Sequence, residues 1–341
     1  MLIPRGETEV YTSRVGGLAG EFLGDGDQAL GGRLTPLRVL DLCTGTGCIP
    51  LSLYEMLSRG RRGSEGVRLK LEVLGVDIAS TALDLAKDNL RHNISVGHFS
   101  NEASNEIRFL YADVLQSSPL QGQEHSQPSA PYILDALKDA LGKGKQGIDI
   151  LTANPPYISP THFSSGRITR SVRKYEPRLA LVSSSVADPI PPVGASLTPL
   201  STPAAGDEFY HRILPLSRHL DAGLTVLEVG DTEQAWRVIE LARRAVATES
   251  TETRQGLPVL LEMWFDDGRS EVCKNGDNVT MEGSGDRKGW AMRRGQLEAV
   301  KRDGLGEDPA EEVSARAIVI WSREWAVWRR RERLRKGEEC S

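Results

Sequence analysis

Leu37-Arg-Val-Leu-Asp-Leu-Cys-Thr-Gly-Thr-Gly47 carries the clearest fold signal in the sequence. An apolar run ends in Asp41 and passes into a turn with two glycines, after which apolar residues recur at helical spacing. A strand, a glycine turn and a helix in this order are typical of an open α/β sheet. The turn lacks the third glycine of a dinucleotide fingerprint and the Gly-Lys-Ser/Thr of a phosphate loop, so neither NAD nor ATP is favoured.

The same alternation of apolar runs and helical patterns continues along the chain. Further strands are predicted at 69–77, 107–113, 148–153, 224–229, 259–265 and 317–321, with helices near 48–57, 80–93, 207–220 and 232–247. Helices between successive strands indicate parallel crossovers. The fold class predicted is α/β, with a doubly wound, seven-stranded, mostly parallel sheet and long loop insertions.

Three aperiodic stretches interrupt this pattern. They lie at 117–131, at 183–205, which is rich in Pro and Ser, and at 267–313, which is rich in Gly and charge and is predicted to be a disordered insertion. One domain is therefore expected over 37–266 plus 314–322, with an N-terminal segment at 1–36 and a basic tail at 323–341. The 341 residues thus predict one large domain rather than two.

Charge and composition limit the possible partners. The 42 basic and 47 acidic residues give a net charge of −5, which supplies no general attraction to nucleic acid. The basic tail is expected to be a solvated helix end, and a nucleic-acid contact is an alternative for this tail alone. The tryptophans at i, i+4 and i+7 near the C-terminus predict one packed face, with a base-stacking platform as the alternative. These are Trp321, Trp325 and Trp328.

No other class of site is indicated. The four cysteines lack paired spacing and the six histidines lack ligand spacing, so neither a disulfide framework nor a metal is expected. No apolar run reaches the roughly 18–20 residues that span a bilayer, and the N-terminus has no leader character, so an untargeted, soluble and monomeric chain is expected.

Acidic residues end three consecutive predicted strands. Asp41, Asp77 and Asp113 are each separated by 36 residues. Asp77 is placed to accept both hydroxyls of a ribose and Asp113 to accept from an adenine amino group. Each acid alone is also typical of a helix N-cap. A nucleoside without phosphates that carries a sulfonium and an amino-acid tail suits the three acids together, which points to S-adenosylmethionine as the cofactor.

Asn154-Pro155-Pro156-Tyr157 follows the fourth predicted strand. The prolines end the strand because they cannot donate ladder hydrogen bonds, and a rigid turn is the structural reading of the motif. The chemical reading concerns an amide or exocyclic amine, whose delocalised lone pair makes it a poor nucleophile. If the Asn154 oxygen and the Pro155 carbonyl accept its two N–H bonds, the lone pair can turn toward a methyl donor. Tyr157 would pack on the flat acceptor group.

The sequence at this point resembles the HemK/PrmC family, S-adenosylmethionine-dependent class I methyltransferases that modify the Gly-Gly-Gln glutamine of peptide chain release factors. The likeness covers residue 2 to about 265 and resumes at 315–321. Its motifs are Leu2-Ile-Pro-Arg-Gly-Glu-Thr-Glu9, Asp41–Gly47 with Cys43 where Gly is common, Gly75-Val-Asp-Ile78, Ala112-Asp113, Asn154–Tyr157, Tyr175-Glu-Pro-Arg-Leu-Ala-Leu181 and Gly206-Asp-Glu-Phe-Tyr210. Asn-Pro-Pro-Tyr is shared with adenine methyltransferases, whereas the opening motif and Tyr-Glu-Pro select release-factor enzymes.

The resemblance implies roles for particular residues. Cofactor contacts are implied for Asp41, Cys43, Thr44, Gly45, Thr46, Gly47, Asp77, Ile78, Asp113, Val114 and Asn154. Val114 stands where some members have an aromatic residue for adenine stacking. Catalysis is implied for Asn154, Pro155 and Tyr157, and substrate binding for these three with Pro156, Arg5, Glu7 and Thr8. Surface capping by Glu7 or Thr8, and a surface pair between Glu176 and Arg178, remain alternatives.

The predicted function is therefore enzymatic: N5-methylation of a release-factor glutamine. The alternatives are an adenine-N6 DNA or RNA methyltransferase and a non-catalytic cofactor-binding remnant. Family members usually carry a helical recognition domain before the Leu-Ile-Pro-Arg motif, and this domain is expected to be absent here. Because the motif resembles the bacterial and mitochondrial branch, the expected location is mitochondrial, with the cytoplasm as the alternative.

Overall fold

A computed structural model of the chain describes residues 5–25, 36–59, 70–116, 130–142, 147–166, 168–183, 204–247, 259–273 and 313–338. Nearly all of the insertions predicted at 117–131 and 183–205, and most of the one at 267–313, lie outside these residues. The first three residues of the Leu-Ile-Pro-Arg motif also lie outside them.

Eight strands and ten helices lie within the described residues. The strands are β1 (Leu37–Leu42), β2 (Leu71–Asp77), β3 (Ile107–Tyr111), β4 (Ile150–Ala153), β5 (Leu224–Glu228), β6 (Val259–Phe265), β7 (Ser270–Val272) and β8 (Ala315–Ser322). The helices are α1 (Gly6–Gly24), α2 (Cys48–Arg59), α3 (Ser80–Ser95), α4 (Ala103–Glu106), α5 (Ile133–Leu141), α6 (Pro160–Ser164), α7 (Arg170–Tyr175), α8 (Tyr210–His219), α9 (Thr232–Ala247) and α10 (Arg323–Arg335), with a 3-10 turn at Arg178–Ala180.

All strands join one sheet in the order β3-β2-β1-β4-β5-β8-β6-β7. The pairings from β3 to β5 are parallel, and β8 lies antiparallel between β5 and β6. The strand order reverses between β1 and β4, where Leu42 pairs with Ala153. Such a reversal opens a crevice at the carboxyl ends of the strands. The predicted α/β fold class is confirmed.

The sheet differs from the prediction at one edge. β7 lies inside the stretch predicted as a disordered insertion from 267, and it pairs antiparallel with β6. The hairpin turns at Gly268, whose φ of 85° is the left-handed conformation that glycine adopts freely. Three residues with no apolar alternation gave no strand signal, so the sequence predicted seven strands where the described residues contain eight.

The sheet is buried on both faces, as parallel sheets usually are. Side chains of β1 alternate between the two layers: Leu37 and Val39 belong to one core and Leu40 and Leu42 to the other. The first core also contains the apolar faces of α1, α2 and α10, and the second contains those of α5, α8 and α9. Helices on both sides therefore hold the strand ends in fixed positions.

Helix α1 was not predicted as a helix, because five glycines in 19 residues give it a weak helical signal. Tertiary packing stabilises α1 despite its low helix propensity. A Cβ at Gly16 would lie 2.5 Å from the Met56 side chain on α2, so glycine permits the close approach of the two helices. Phe22 stacks on Trp325 with ring centroids 4.0 Å apart. The N-terminal segment is thus part of the core.

Helix α10 corrects the prediction of a solvated basic tail. Trp321, Trp325 and Trp328 are buried, which confirms the packed face. Arg329 and Arg333 are buried as well, and both bind the carboxylate of Glu262 on β6 at 2.9 and 3.1 Å. Two arginines of the basic tail are therefore paired inside the domain, where they are not available to a nucleic acid.

Candidate active site

The polar residues predicted from the strand ends meet at one edge of the sheet. Asp41 lies on β1, Asp77 ends β2, Asp113 follows β3, and Asn154 directly follows β4. A fourth acid, Glu228, ends β5 and was not singled out in the sequence. It carries the same signal as the first three, an acidic residue that ends a buried apolar run. The carboxyl ends of four strands in the parallel part of the sheet therefore each carry an acid.

The glycine turn between β1 and α2 has a left-handed backbone. Gly45 and Gly47 have φ values of 54° and 78°, and Cys43 has a φ of 59°. Cysteine in this conformation is strained by roughly 1–2 kcal/mol, which gives a physical reason for the glycine common at this position in the family that the sequence resembles. Burial raises the pKa of the Cys43 thiol, so the residue is a neutral part of the turn.

Asp77 fastens the glycine turn to the end of β2. Its Oδ2 accepts a hydrogen bond from the Gly45 N–H and its Oδ1 from the Ala79 N–H, each at 2.8 Å. Burial raises its pKa, and these backbone donors oppose the shift. Helix α3 has Ala79 as its N-cap, so the Asp77 side chain is not itself the cap. The Asp77 carboxylate therefore joins the glycine turn to the start of α3.

Asp41 is fully buried behind the same turn. Its Oδ1 accepts from the Thr152 hydroxyl at 2.6 Å, and the buried Thr44 hydroxyl lies beside the same carboxylate. Burial raises the pKa of Asp41 to about 7, against the opposing hydrogen bonds from the Thr152 and Thr44 hydroxyls. Asp41 is thus held behind the turn by two hydroxyls.

Asp113 is half-buried beyond β3. Its Oδ1 accepts from the Leu115 N–H at 2.9 Å, which leaves its other oxygen for a ligand. Val114 beside it is buried in the core, and Ile78 is half-buried after Asp77. Leu42 pairs with Ala153, so the turn that starts at Cys43 adjoins Asn154 at the strand reversal. The predicted cofactor residues thus lie along the ends of β1 to β4.

Asn154 and Tyr157 are held by partners from distant segments. Asn154 Nδ2 donates to the Thr8 hydroxyl at 3.5 Å, and the Tyr157 hydroxyl donates to Glu228 Oε1 at 3.3 Å. Behind the tyrosine, Gln234 Nε2 donates to the Tyr157 carbonyl at 3.2 Å and to Asp207 Oδ1 at 2.9 Å. The Gly206–Tyr210 segment, matched on sequence alone, therefore supports the back of the Asn-Pro-Pro-Tyr turn.

Thr8 is a buried residue rather than a surface cap. Its hydroxyl donates to Glu228 Oε2 at 2.8 Å, and the N-cap of α1, Arg5, makes no side-chain capping bond. Glu228 itself is 3% exposed. Burial raises its pKa, and the hydrogen bonds from Thr8, Tyr11 and Tyr157 oppose that shift. The capping alternative is therefore wrong for Thr8.

A cavity of about 580 Å³ opens in front of this group. Asn154, Pro155, Tyr157 and Glu228 line one side, and apolar residues of the segment after the motif, among them Ile168, line the other. Of the other residues predicted for substrate binding, Arg5 and Glu7 also line it, whereas Thr8 and Pro156 lie behind the wall. A volume of this size suits one flat side chain or base and its neighbours.

An ion pair closes one side of the cavity. Arg5 Nη2 donates to both oxygens of Glu176, at 3.0 and 2.9 Å. The surface pair between Glu176 and Arg178 is therefore not formed, and Arg178 lies over the Phe163 ring, 5.5 Å from its centroid. The two segments that distinguish release-factor enzymes in the sequence, the opening motif and Tyr-Glu-Pro, thus meet in the structure. Glu7, about 4.0 Å from Arg316, is more exposed.

Curated proteins of related sequence carry one activity in their names. The chain is 29% identical to the probable MRF1 mitochondrial N(5)-glutamine methyltransferase of Schizosaccharomyces pombe over 244 residues, 69% of this chain and 58% of that protein. It is 31% identical to the release factor glutamine methyltransferase of Chlorobaculum tepidum over 184 residues, 54% of this chain and 46% of that protein. The chain is a relative of the release factor glutamine methyltransferases.

The extent of this relationship is limited. A third relative, the mitochondrial MRF1 N(5)-glutamine methyltransferase of Saccharomyces cerevisiae, is 28% identical over 53% of this chain and 43% of its own length. The chain spans about half the length of the curated relatives it matches. No protein-family model matches it. Among solved structures, human methyltransferase 10 domain containing protein aligns over 94% of this chain and 84% of its own with a TM-score of 0.41 and 15% identity, too weak a likeness to carry an argument.

Two other kinds of site were sought in the described part of the chain. No group of three or more His, Cys, Asp or Glu side chains is arranged to hold a metal ion there. Within the same residues, none of the helices is both long enough and apolar enough to cross a bilayer. Within the described residues, the crevice and its cavity are therefore the candidate active site.

Proposed function

We propose that the chain is an S-adenosylmethionine-dependent protein-(glutamine-N5) methyltransferase that acts on the Gly-Gly-Gln glutamine of a peptide chain release factor. The observation that carries the proposal is the position of Asn154 and Pro155, which adjoin the glycine turn at the strand reversal and line the cavity. The names of the sequence relatives support the same substrate.

The residues at the strand ends fit the proposed cofactor. The oxygens of Asp41 and Thr44 beside the glycine turn suit its polar tail, the carboxylate of Asp77 suits two ribose hydroxyls, and the second oxygen of Asp113 suits an adenine amino group. The cofactor residues proposed are Asp41, Cys43, Thr44, Gly45, Thr46, Gly47, Asp77, Ile78, Asp113, Val114 and Asn154. Several uncompensated carboxylates also favour a ligand with a positive charge.

In the proposed reaction the chain acts by positioning. When bound, S-adenosylmethionine supplies a methyl group on a sulfonium, and its transfer to nitrogen leaves the carbon–sulfur electron pair on sulfur and releases one amide proton to water. Asn154 and the Pro155 carbonyl accept the two N–H bonds of the substrate amide. The nitrogen is thereby held with its lone pair toward the methyl group, while Tyr157 covers the amide plane. Such positioning contributes several kcal/mol without a strong base.

The direct test is transfer of a labelled methyl group. The purified chain receives labelled S-adenosylmethionine with a mitochondrial-type release factor, a cytosolic-type release factor, or either factor with its Gly-Gly-Gln glutamine changed to alanine. Label is expected on the intact factors and absent from the alanine forms. Because two of the relatives are named mitochondrial, the mitochondrial-type factor is expected to react faster and a mitochondrial location is proposed with it.

Asn154→Ala serves as the matched enzyme variant in that assay. It is expected to abolish labelling and to leave most of the affinity for S-adenosylmethionine, as calorimetry would measure. If the wild-type chain bound the cofactor and labelled no protein or nucleic acid, the chain would be a non-catalytic remnant and the proposed activity would be wrong.

One observation favours a second candidate, adenine-N6 methylation of nucleic acid. The segment beside the cavity exposes Arg170, Arg173, Lys174 and Arg178, with a single acid among them, Glu176, that is paired to Arg5. Exposed basic residues of this kind suit a phosphate backbone. An RNA and a DNA oligonucleotide therefore belong in the same labelling assay, and label on adenine with none on the release factors would replace the first proposal by the second.

A further inference from the structure

Three residues of the site form a chain of hydrogen bonds that ends in a buried carboxylate. Asn154 Nδ2 lies 3.5 Å from the Thr8 hydroxyl, which lies 2.8 Å from Glu228 Oε2. The second oxygen of Glu228 accepts from Tyr157 at 3.3 Å, and its main-chain carbonyl accepts from the Tyr210 hydroxyl at 2.7 Å. Thr8 and Glu228 are 6% and 3% exposed, so water does not compete for these bonds.

The direction of these bonds is set by the number of protons available. A threonine hydroxyl has one proton to donate, and in the structure Thr8 donates it to Glu228 Oε2. Once that proton is directed to Glu228, the hydroxyl turns its lone pairs toward Asn154. Of the two ends of the asparagine amide, only the NH₂ group can meet those lone pairs favourably. The amide oxygen then points away from Thr8.

We propose that Thr8 and Glu228 are positioning residues, which select the amide orientation of Asn154 that leaves its oxygen free to accept from the substrate. This inference rests on the proposed glutamine methylation, in which that oxygen accepts an N–H bond. In the opposite orientation the amide oxygen would face the Thr8 oxygen with no proton between them, and the NH₂ group would face the substrate amide as a second donor. In that orientation Asn154 cannot accept a hydrogen bond from the substrate N–H.

The same carboxylate also orients Tyr157. Glu228 Oε1 holds the Tyr157 hydroxyl while Oε2 holds Thr8, so one side chain on β5 controls the residues at both ends of the Asn-Pro-Pro-Tyr motif. Thr8 therefore acts from behind the cavity wall and is not a substrate contact, which revises the role that the sequence resemblance implied for it.

The test compares Thr8→Val with Thr8→Ser and Thr12→Val. Valine has nearly the shape of threonine but neither donates nor accepts, whereas serine restores the hydroxyl. Thr12→Val removes a hydroxyl from the next turn of the same helix, one that donates to the Thr8 carbonyl. In glutamine methylation, Thr8→Val is expected to lower kcat roughly 10- to 100-fold with an unchanged KM for S-adenosylmethionine. Thr8→Ser is expected to restore most of kcat, and Thr12→Val to leave kcat within about twofold.

Glu228→Gln tests the carboxylate itself. The glutamine amide can donate to Thr8, which frees the threonine proton for the Asn154 oxygen, so both orientations of Asn154 become possible. A fall in kcat of roughly tenfold is expected, again without a change in cofactor affinity. Equal kcat values for wild type, Thr8→Val and Glu228→Gln would overturn the inference, while labelling by the wild type would leave the proposed function standing.

A second measurement does not depend on activity. In protein labelled with ¹⁵N-asparagine, the side-chain amide signal of Asn154 is assigned from its loss in Asn154→Ala. The signal is expected to shift or broaden in Thr8→Val and to keep its position in Thr12→Val. If the wild type methylated no glutamine, the proposed function would fail, and this signal would still decide the orientation: an unchanged signal in Thr8→Val overturns it.

Discussion

Two buried glutamates on strands separated only by β8 have opposite surroundings. Glu262 on β6 is bound by two arginines and by the Trp264 indole N–H at 2.9 Å, and it joins α10 to the sheet. Glu228 on β5 is bound by the neutral hydroxyls of Thr8 and Tyr157 and borders a cavity. The first charge is compensated and holds helices together. The second is uncompensated, which is destabilising, and such groups persist where a site needs them.

Removing the compensated charge is expected to have the largest effect. Glu262→Gln leaves Arg329 and Arg333 buried without a counter-charge, which should lower the free energy of unfolding by about 3–5 kcal/mol, as urea denaturation would measure. The matched control is Glu240→Gln, because Glu240 pairs with exposed arginines on α9 and should change stability by less than about 0.5 kcal/mol. If Glu262→Gln lowered the free energy of unfolding by less than about 1 kcal/mol, the ion pairs of Glu262 would not hold α10 to the sheet, and the contrast with Glu228 would fail.

Removing the buried charge of Asp41 at the candidate site is expected to raise stability, the reverse of the effect of Glu262→Gln. Burial raises the pKa of Asp41 to about 7 in the folded chain. As the pH rises, the unfolded chain therefore loses this proton at a lower pH than the folded chain does. Stability should therefore fall between about pH 4 and pH 7, by up to about 1.4 kcal/mol per pH unit. Asp41→Asn removes this titration and keeps an acceptor for Thr152, so it should be more stable than the wild type by about 2–4 kcal/mol at pH 8 and nearly equal at pH 4.

Urea denaturation at several pH values measures this difference, with Asp84→Asn as an exposed control that should leave the slope unchanged. The same Asp41→Asn variant should bind S-adenosylmethionine more weakly, because the negative charge behind the glycine turn is lost. Parallel stability curves for wild type and variant would show that the buried Asp41 is not the source of the slope.

The ion pair at the cavity should matter for substrate more than for folding. Arg5→Lys loses the paired hydrogen bonds to Glu176 and should raise the KM for the release factor roughly three- to tenfold. Because Arg5 is 39% exposed, the free energy of unfolding should change by less than about 1 kcal/mol. Steady-state kinetics measures the effect, and Arg178→Lys, which leaves the pair intact, should keep the KM of the wild type.

The smallest effect is expected in the glycine turn. Cys43→Gly relieves a left-handed backbone and should raise stability by about 0.5–1 kcal/mol, after the entropy of glycine is included. Cys43→Ala keeps the Cβ and the strain, so it should not be stabilised. Thermal unfolding of the two variants compares them directly, and equal melting temperatures would contradict the strain at this position.

Local patterns in the sequence predicted the fold and most of the site. Apolar runs that end in Asp41, Asp77 and Asp113 predicted both the strands and the polar edge of the sheet, because strand, turn and acid are contiguous in the chain. The Asn154–Tyr157 motif was recognised for the same reason. These features need no knowledge of distant contacts.

The rest depended on contacts between distant residues. Thr8 and Glu228 are 220 positions apart, so nothing near Thr8 reveals that it is buried. Helix α1 has too many glycines to be predicted from propensity, and Gly16 fits only because Met56 lies against it. The arginines of α10 looked solvated until Glu262 supplied their partner. In each case tertiary packing overrode the local signal.

The bond between Thr8 and Glu228 also orders events during synthesis of the chain. At roughly 5–20 residues per second, β5 leaves the ribosome about 10–45 s after the start of α1. Trp325, the stacking partner of Phe22 on α10, is synthesised later still. Helix α1 can therefore pack on α2 early, but its contacts with β5 and α10 form later. A newly made chain gains its positioned Asn154 only after β5 has emerged and joined the sheet.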